Sequence, residues 1–301
     1  MRNRRILITA SVSALSLTLC LFAEPPRTIV VDGRFDDWKG VRSYTDPPNN
    51  EHDTSHNARD DRPAHVDHPD VDLLEYKFAH DAENLYAYFK ARGTIGRTQT
   101  AAAGKPAGRY YAILAIDVDD DTQTGYWLHE GGYYPTSNGY DVNAEVEWYG
   151  GRLNCGNYLN HACRTQAELD QAFLDQSSGQ YRSGNPGPYK AGFLRLGPGT
   201  YKYYPEWVYH ENGTITFVKD KGPQTLGVIT AAISSDGHEM EMKVPMKGFL
   251  VDPQGKPIVA LGRKLNISFS LEASGELTKD GRWASNTAEP IRGYMVEPPR
   301  R

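Results

Sequence analysis

The chain has 301 residues and a formal net charge of −5 at neutral pH, enough for one large or two ordinary domains with a sizeable buried core. The weak acidic charge provides no basic surface of the kind that nucleic acid requires, so nucleic acid is excluded as an expected partner. The 29 glycines, 19 prolines and 19 tyrosines favour a β protein with many turns over a helical one.

Residues 1–23 have the features of an export signal. Three arginines precede an apolar stretch, and Ala23 stands where cleavage is expected. Residues 24–301 are then predicted to form a single mature domain that is secreted, periplasmic or at the cell surface. Contact with a membrane is expected only through an uncleaved signal or, at Cys20, a lipid anchor.

The first motif of the mature chain is VDGRFDDW at residues 31–38, where a short strand passes into an acidic turn that ends on Trp38. We predict that Trp38 closes one end of a β-sandwich core. The polar segment 43–72 follows and contains four histidines among many aspartates. It is predicted to be a solvated insertion because it has little apolar surface to bury, although such side chains could also bind a metal. A third possibility is that only its last part, Asp70 and Asp72, folds back against the sandwich.

Most of the remaining chain alternates apolar and polar residues, as antiparallel strands do. Strands are predicted at 73–78, 85–91, 110–118, 141–149, 207–210, 214–218, 226–234, 238–245 and 265–273. One short helix is predicted at 165–175, where Thr165 and Glu168 form a capping box. This series predicts an all-β fold: an antiparallel β-sandwich of jelly-roll type with long loops and one short helix.

Three short sequence motifs of this chain resemble those of the family 9 carbohydrate-binding module and its DOMON-like relatives. They are the DG-x-x-D-x-W turn that ends at Trp38, the HD-x-x-NLY phrase at 80–86 and the E-x-x-x-P strand that ends at Pro245. The resemblance covers residues 28–297. It implies a single sandwich domain that binds carbohydrate without catalysing a reaction. The chain departs from the family's pattern in large loops at 43–72, 93–109 and 150–205.

A run of alternating aspartates follows the strand at 110–118. Asp117, Asp119 and Asp121 can converge on one hard cation if the chain curls after the strand, and Asp141 at the start of the next strand could complete the site. The spacing is not that of an EF-hand, and an acidic turn without an ion also explains it. The family resemblance implies a structural calcium ion here.

The loop between these aspartates and the next strand is predicted to bind a polysaccharide or oligosaccharide. Sugars stack their apolar faces on aromatic rings, and polar side chains bind the hydroxyl groups. The predicted ligand-binding residues are Tyr126, Trp127, His129, Glu130, Tyr133, Tyr134 and, from a later segment, Trp207. Trp148 lies on the apolar side of its alternating strand and is predicted to pack in the core.

The mature chain has two cysteines, Cys155 and Cys163, which are predicted to form a disulfide because an exported protein meets an oxidising compartment. Two free thiols are the alternative.

Two other functions remain open. The first is haem binding, which some DOMON-like relatives perform, with Met240, Met242 or His238 as ligands. The second is glycoside hydrolysis, which needs two carboxylates in a cleft and for which Glu145 and Glu147 are among the candidates.

Overall fold

The computed structural model describes residues 25–54, 64–102, 104–120, 140–160, 162–163, 194–195, 208–211, 214–217, 228–249 and 258–299. These residues form strands β1 (Ser43–Thr45), β2 (His52–Asp53), β3 (Leu73–His80), β4 (Asn84–Ala91), β5 (Arg109–Asp117), β6 (Val142–Tyr149), β7 (Arg152–Asn160), β8 (Ala162–Cys163), β9 (Leu194–Arg195), β10 (Val208–Glu211), β11 (Thr214–Phe217), β12 (Val228–Ile233), β13 (Glu239–Pro245), β14 (Lys264–Ala273), β15 (Ala284–Thr287) and β16 (Ile291–Met295).

Helical structure in the described residues is limited to short 3₁₀ turns at Asp36–Trp38, Met246–Gly248 and Gly275–Leu277. The helix predicted at 165–175 lies outside the described residues. Within the described ranges, there is no helix of the length and apolar character needed to cross a bilayer.

One long antiparallel sheet contains all the strands except β8 and β9, which pair with each other in parallel. Its strand order is β1-β3-β4-β13-β12-β11-β10-β7-β6-β5-β14-β15-β2, and β16 also pairs with β14. This sheet folds over on itself, because one apolar core contains side chains from both β3–β4–β13 and β6–β5–β14. The predicted antiparallel β-sandwich is therefore confirmed.

Aromatic rings from the two layers meet in the middle of the core. The ring of Phe269 in β14 lies 5.0 Å from that of Tyr76 in β3 and 5.0 Å from that of Phe89 in β4. Trp148 packs edge-on against Tyr110, with ring centroids 5.7 Å apart, and belongs to the same core. Its predicted packing role is confirmed.

The VDGRFDDW motif is held by a single buried carboxylate on β13. Trp38 donates its indole N–H to Oε2 of Glu241 at 2.9 Å, while Oε1 accepts the backbone N–H groups of Asp32 and Gly33, both at 2.8 Å. Trp38 is buried as predicted, but it packs in a small separate cluster with Tyr86 and other residues. It does not close the main core, because the side chains of β4 at 86 and 88 point away from that core.

Segment 43–72 is solvated only in part: residues 47–50 are exposed, whereas Asp70 and Asp72 fold back against the sandwich as the third possibility predicts. Glu51, Asp70 and Asp72 are fully buried and are paired with arginines that follow β4. Arg92 binds Asp72 and Glu51, and Arg97 binds Asp70 through two hydrogen bonds of 2.6 and 2.9 Å. Burial of these charges is compatible with stability because each has a fixed partner of opposite charge.

The loop predicted at 150–205 begins with a regular strand. β7 (Arg152–Asn160) pairs with β6 from Val142 to Tyr149, with one register shift near Trp148. Its sequence is polar and lacks clear alternation, so the neighbouring strand, and not its own pattern, explains why it forms.

Candidate functional site

Three of the four predicted metal-binding aspartates come together where β5 ends and β6 begins. One carboxylate oxygen from each of Asp117, Asp119 and Asp141 lies within 4.8 Å of the others. The pairing of Ile116 with Val142 explains this, because it places the end of one strand beside the start of the other. Asp117 and Asp141 are buried, whereas Asp119 is exposed.

The chain curls around Asp117 immediately after β5. Its Oδ1 accepts the backbone N–H groups of Asp119 at 3.1 Å and Asp120 at 2.7 Å, and its Oδ2 accepts the amide of Asn266 at 2.9 Å. Asp120 adopts a positive φ of 61°, which reverses the chain direction. Asp141 accepts the N–H of Val118 at 2.8 Å, so both strand ends are fixed around the cluster.

This donor set fits calcium. Calcium prefers carboxylate and carbonyl oxygens at roughly 2.4 Å, so two of its ligand atoms can lie at most about 4.8 Å apart. The three carboxylates satisfy that limit, and the nearby ammonium group of Lys264 contacts Asp120 at 3.5 Å. The fourth predicted ligand, Asp121, lies outside the described residues.

The predicted sugar-binding loop itself is also outside the described residues. This applies to Tyr126, Trp127, His129, Glu130, Tyr133 and Tyr134, and equally to Trp207. What the structure shows is the position of the two ends of this segment: Asp119 precedes it and Asp141 follows it. Cys155 and Cys163 lie in β7 and β8, but their side chains are not among the described ones, so the disulfide stays a prediction.

The face of β6–β5–β14–β15 that points away from the core is mostly polar, and we call it the outer sheet face. Strand pairing aligns Glu147, Tyr111, Glu272 and Ser285 in one row across the four strands. The next row contains Glu145, Ile113, Ser270 and Thr287. These side chains point away from the main core, but most of them are buried, among them Glu147, Glu272, Ser270 and Ser285.

At one end of the outer sheet face, aromatic and charged side chains form a cluster that we call the aromatic patch, made up of Arg109, Tyr111, Glu147, Tyr149 and Trp283. The rings of Tyr111 and Trp283 are nearly parallel, at 22° and 6.5 Å between centroids. Arg109 donates to Oε1 of Glu147 at 2.9 Å and to the Tyr111 hydroxyl at 3.0 Å. The hydrogen bond with Tyr111 is the main cause of a raised pKa for the Arg109 guanidinium.

Sequence reasoning missed the aromatic patch. Alternation in the strand at 110–118 would have placed Tyr111 opposite the core residue Tyr110. However, the pairing of β14 with β5 and β15 brings Trp283 to Tyr111 from a distant part of the chain, and no local signal predicts that pairing.

The methionines considered for haem binding lie inside the apolar core. Met240 and Met242 are fully buried there, beside Val244. This location agrees with a packing role. Glu145 and Glu147, considered for hydrolysis, are on the outer sheet face of β6, and Glu147 is bound by Arg109 and by the amide of Asn154 at 2.7 Å.

No family model and no curated protein matches this sequence. Among solved structures, a carbohydrate-binding module of family 9 from Caldicellulosiruptor kristjanssonii, in complex with glucose, is 12% identical. That match covers 88% of this chain and 83% of the other, with a TM-score of 0.33. The sandwich described above rests on this chain's own strand pairing and core.

Proposed function

We propose that this protein is a secreted, non-catalytic carbohydrate-binding β-sandwich in which a structural calcium ion fixes a sugar-binding loop. The observation that carries the proposal is the meeting of Asp117 and Asp119 with Asp141 within 4.8 Å. These residues stand at the two ends of the aromatic segment 121–139, so one ion would join both ends of that segment.

Calcium binding would reduce the conformational freedom of the segment between the ligands. A loop held at both ends loses less entropy when it binds its ligand, and preorganisation of this kind raises affinity. The aromatic residues of the segment, such as Tyr126 and Trp127, are the groups that stack on sugar rings. Carbohydrate binding is therefore expected to weaken when calcium is removed.

The calcium test is a thermal unfolding experiment with and without EDTA. Calcium at about 100 times its dissociation constant stabilises the folded state by roughly 2.7 kcal/mol. For a chain of this size that is a rise of about 4 °C in Tm. Asp141→Asn should lose most of this rise. Asp67→Asn is the matched control because its side chain is 68% exposed and away from the cluster, and it should keep the full rise.

An unchanged Tm after EDTA treatment, together with a neutral Asp141→Asn, would rule out a structural calcium ion at this position.

The sugar test is a glycan array probed in calcium and again in EDTA. Binding to at least one glucan, xylan, mannan or chitin fragment is expected in calcium. Absence of any binding contradicts the carbohydrate proposal, and release of shortened sugars by the purified protein contradicts its non-catalytic character.

A further inference from the structure

We propose that the aromatic patch is a second carbohydrate-binding subsite, separate from the calcium-linked loop and specific for neutral sugars. The inference rests on the proposed function, since it takes the ligand class from there. It assigns a role to Trp283 and Tyr149, which the calcium-linked site does not use.

The aromatic rings of the patch are accessible. Trp283 is 37% exposed and Tyr149 is 41% exposed, which places both among the few large apolar side chains on the described surface. Tyr111 lies beneath this surface as a half-buried ring, nearly parallel to Trp283. Flat, exposed rings supported by a second ring are suited to stacking against the apolar face of a sugar.

The polar groups beside the rings are fixed before any ligand arrives. Glu147 accepts hydrogen bonds from Arg109 at 2.9 Å, from the Tyr111 hydroxyl at 3.0 Å and from Asn154 at 2.7 Å. The Arg109 guanidinium also lies over the Tyr149 ring, 5.2 Å from its centroid. Groups held in this way lose little further freedom when they bind hydroxyl groups.

Charge explains why a neutral sugar is favoured. The Arg109 side chain is 50% exposed and has five N–H donors, so it can bind hydroxyl oxygens while it remains paired with Glu147. Arg109 and Glu147 balance each other, and a second carboxylate, Glu272, lies beside Tyr111 in the same row, so the patch does not attract an anionic sugar. Glu147 is buried and serves to hold Arg109 in place, so exposed apolar rings bordered by a fixed donor are what the patch presents to the apolar face and the hydroxyl oxygens of a pyranose ring.

The patch and the aspartate cluster lie at opposite ends of the same strand. Tyr111 and Asp117 are six residues apart in β5, which is about 20 Å at the usual strand rise. The side chains between them on this face, Ile113 and Ala115, are buried, so the patch and the cluster are separate sites. Loss of calcium should leave the patch itself intact, because the hydrogen bonds described above join Arg109, Tyr111 and Glu147 to one another and to Asn154.

The test uses the full mature chain in calcium, titrated with cellohexaose, xylohexaose, mannohexaose and chitohexaose. Trp283→Ala should weaken binding of the preferred hexasaccharide at least about tenfold, since it removes the main stacking surface. Trp283→Phe keeps a flat ring and should bind within about threefold of the wild type. Leu277→Ala is the matched control because Leu277 is 43% exposed but outside the patch, and it should bind normally.

A single cooperative thermal unfolding transition with a Tm close to that of the wild type shows that each variant is folded. Tyr149→Ala provides a second variant in case Trp283→Ala is unstable. The subsite is refuted if folded Trp283→Ala or Tyr149→Ala binds the hexasaccharide as tightly as the wild type, and carbohydrate binding through the loop then still stands. If the wild type binds none of the four sugars, both proposals are refuted.

Discussion

Asp46 is a buried carboxylate whose charge works against folding. Burial is the main cause that raises its pKa from 3.8 to about 6, and the amide of Asn50, which donates to it at 2.8 Å, only partly offsets this effect. The nearby carboxylates of Asp72 and Glu289 raise the pKa further. We therefore predict that Asp46→Asn stabilises the protein at neutral and alkaline pH.

The size of the effect follows from the pKa difference. The pKa is about 6 in the folded state and 3.8 in the unfolded state. This difference means that the buried charge lowers the free energy of unfolding by at most roughly 3 kcal/mol. Above pH 6 the carboxylate is ionised in both states, and the folded state carries the full cost of the buried charge. Below about pH 4 both states bind the proton and the cost disappears. The stabilisation by Asp46→Asn is thus greatest above pH 6 and vanishes toward pH 4.

The assay is urea unfolding, followed by tryptophan fluorescence at pH values from 4 to 8 with calcium held constant. The matched control is Asp36→Asn, whose carboxylate is 83% exposed and should give no gain at pH 8. A stability difference for Asp46→Asn that does not change with pH would refute the reasoning. So would a loss of stability at pH 8.

Two further predictions concern the scaffold. Gly33 has a φ of +79°, and an added Cβ would lie 2.8 Å from the carbonyl oxygen of Ile233, so Gly33→Ala should cost roughly 1–3 kcal/mol of unfolding free energy. Gly262→Ala is its control, because that residue has φ +82° with open space around it, and an equal cost would contradict a role for the carbonyl contact. Phe269→Ala removes a fully buried ring and should cost about 3–5 kcal/mol in urea unfolding; a loss below about 1 kcal/mol would contradict its central position in the core.

The parts of the fold that follow from local alternation could be predicted from the sequence. The hairpin predicted at 73–78 and 85–91 is present as β3 and β4, and the strand predicted at 265–273 is present as β14. In each, apolar side chains at every second position face the core, so the strand's own residues contain the necessary information.

Elements that depend on distant partners could not be predicted. β15 and β16 are short, with the sequences ASNT and IRGYM, and they form because β14 pairs with both. The burial of Glu51 likewise depends on Arg92, which is 41 residues away in sequence. Neither an isolated carboxylate nor a four-residue polar segment contains a signal that identifies such a partner.

The candidate site also has a part that could be predicted from local sequence and a part that depends on distant residues. Asp117 and Asp119 could be predicted as a cation site because their spacing is local, and Asp141 because it begins the adjacent predicted strand. The aromatic patch could not, since Trp283 and Tyr111 are 172 residues apart and meet only through the order of strands in the sheet.

The strands at the two ends of the long sheet are β1 and β2, of three and two residues, and both come from the single stretch 43–53. They pair with β3 and with β15, and so leave only very short terminal edges. Long open edges recruit strands from other molecules and lead to aggregation, and short edge strands are one of the ways in which β proteins prevent this. One stretch of eleven residues thus supplies the edge strand at both ends of the sheet, and loss of β1 would expose the edge of β3 from Glu75 to Lys77 to pairing with a second chain.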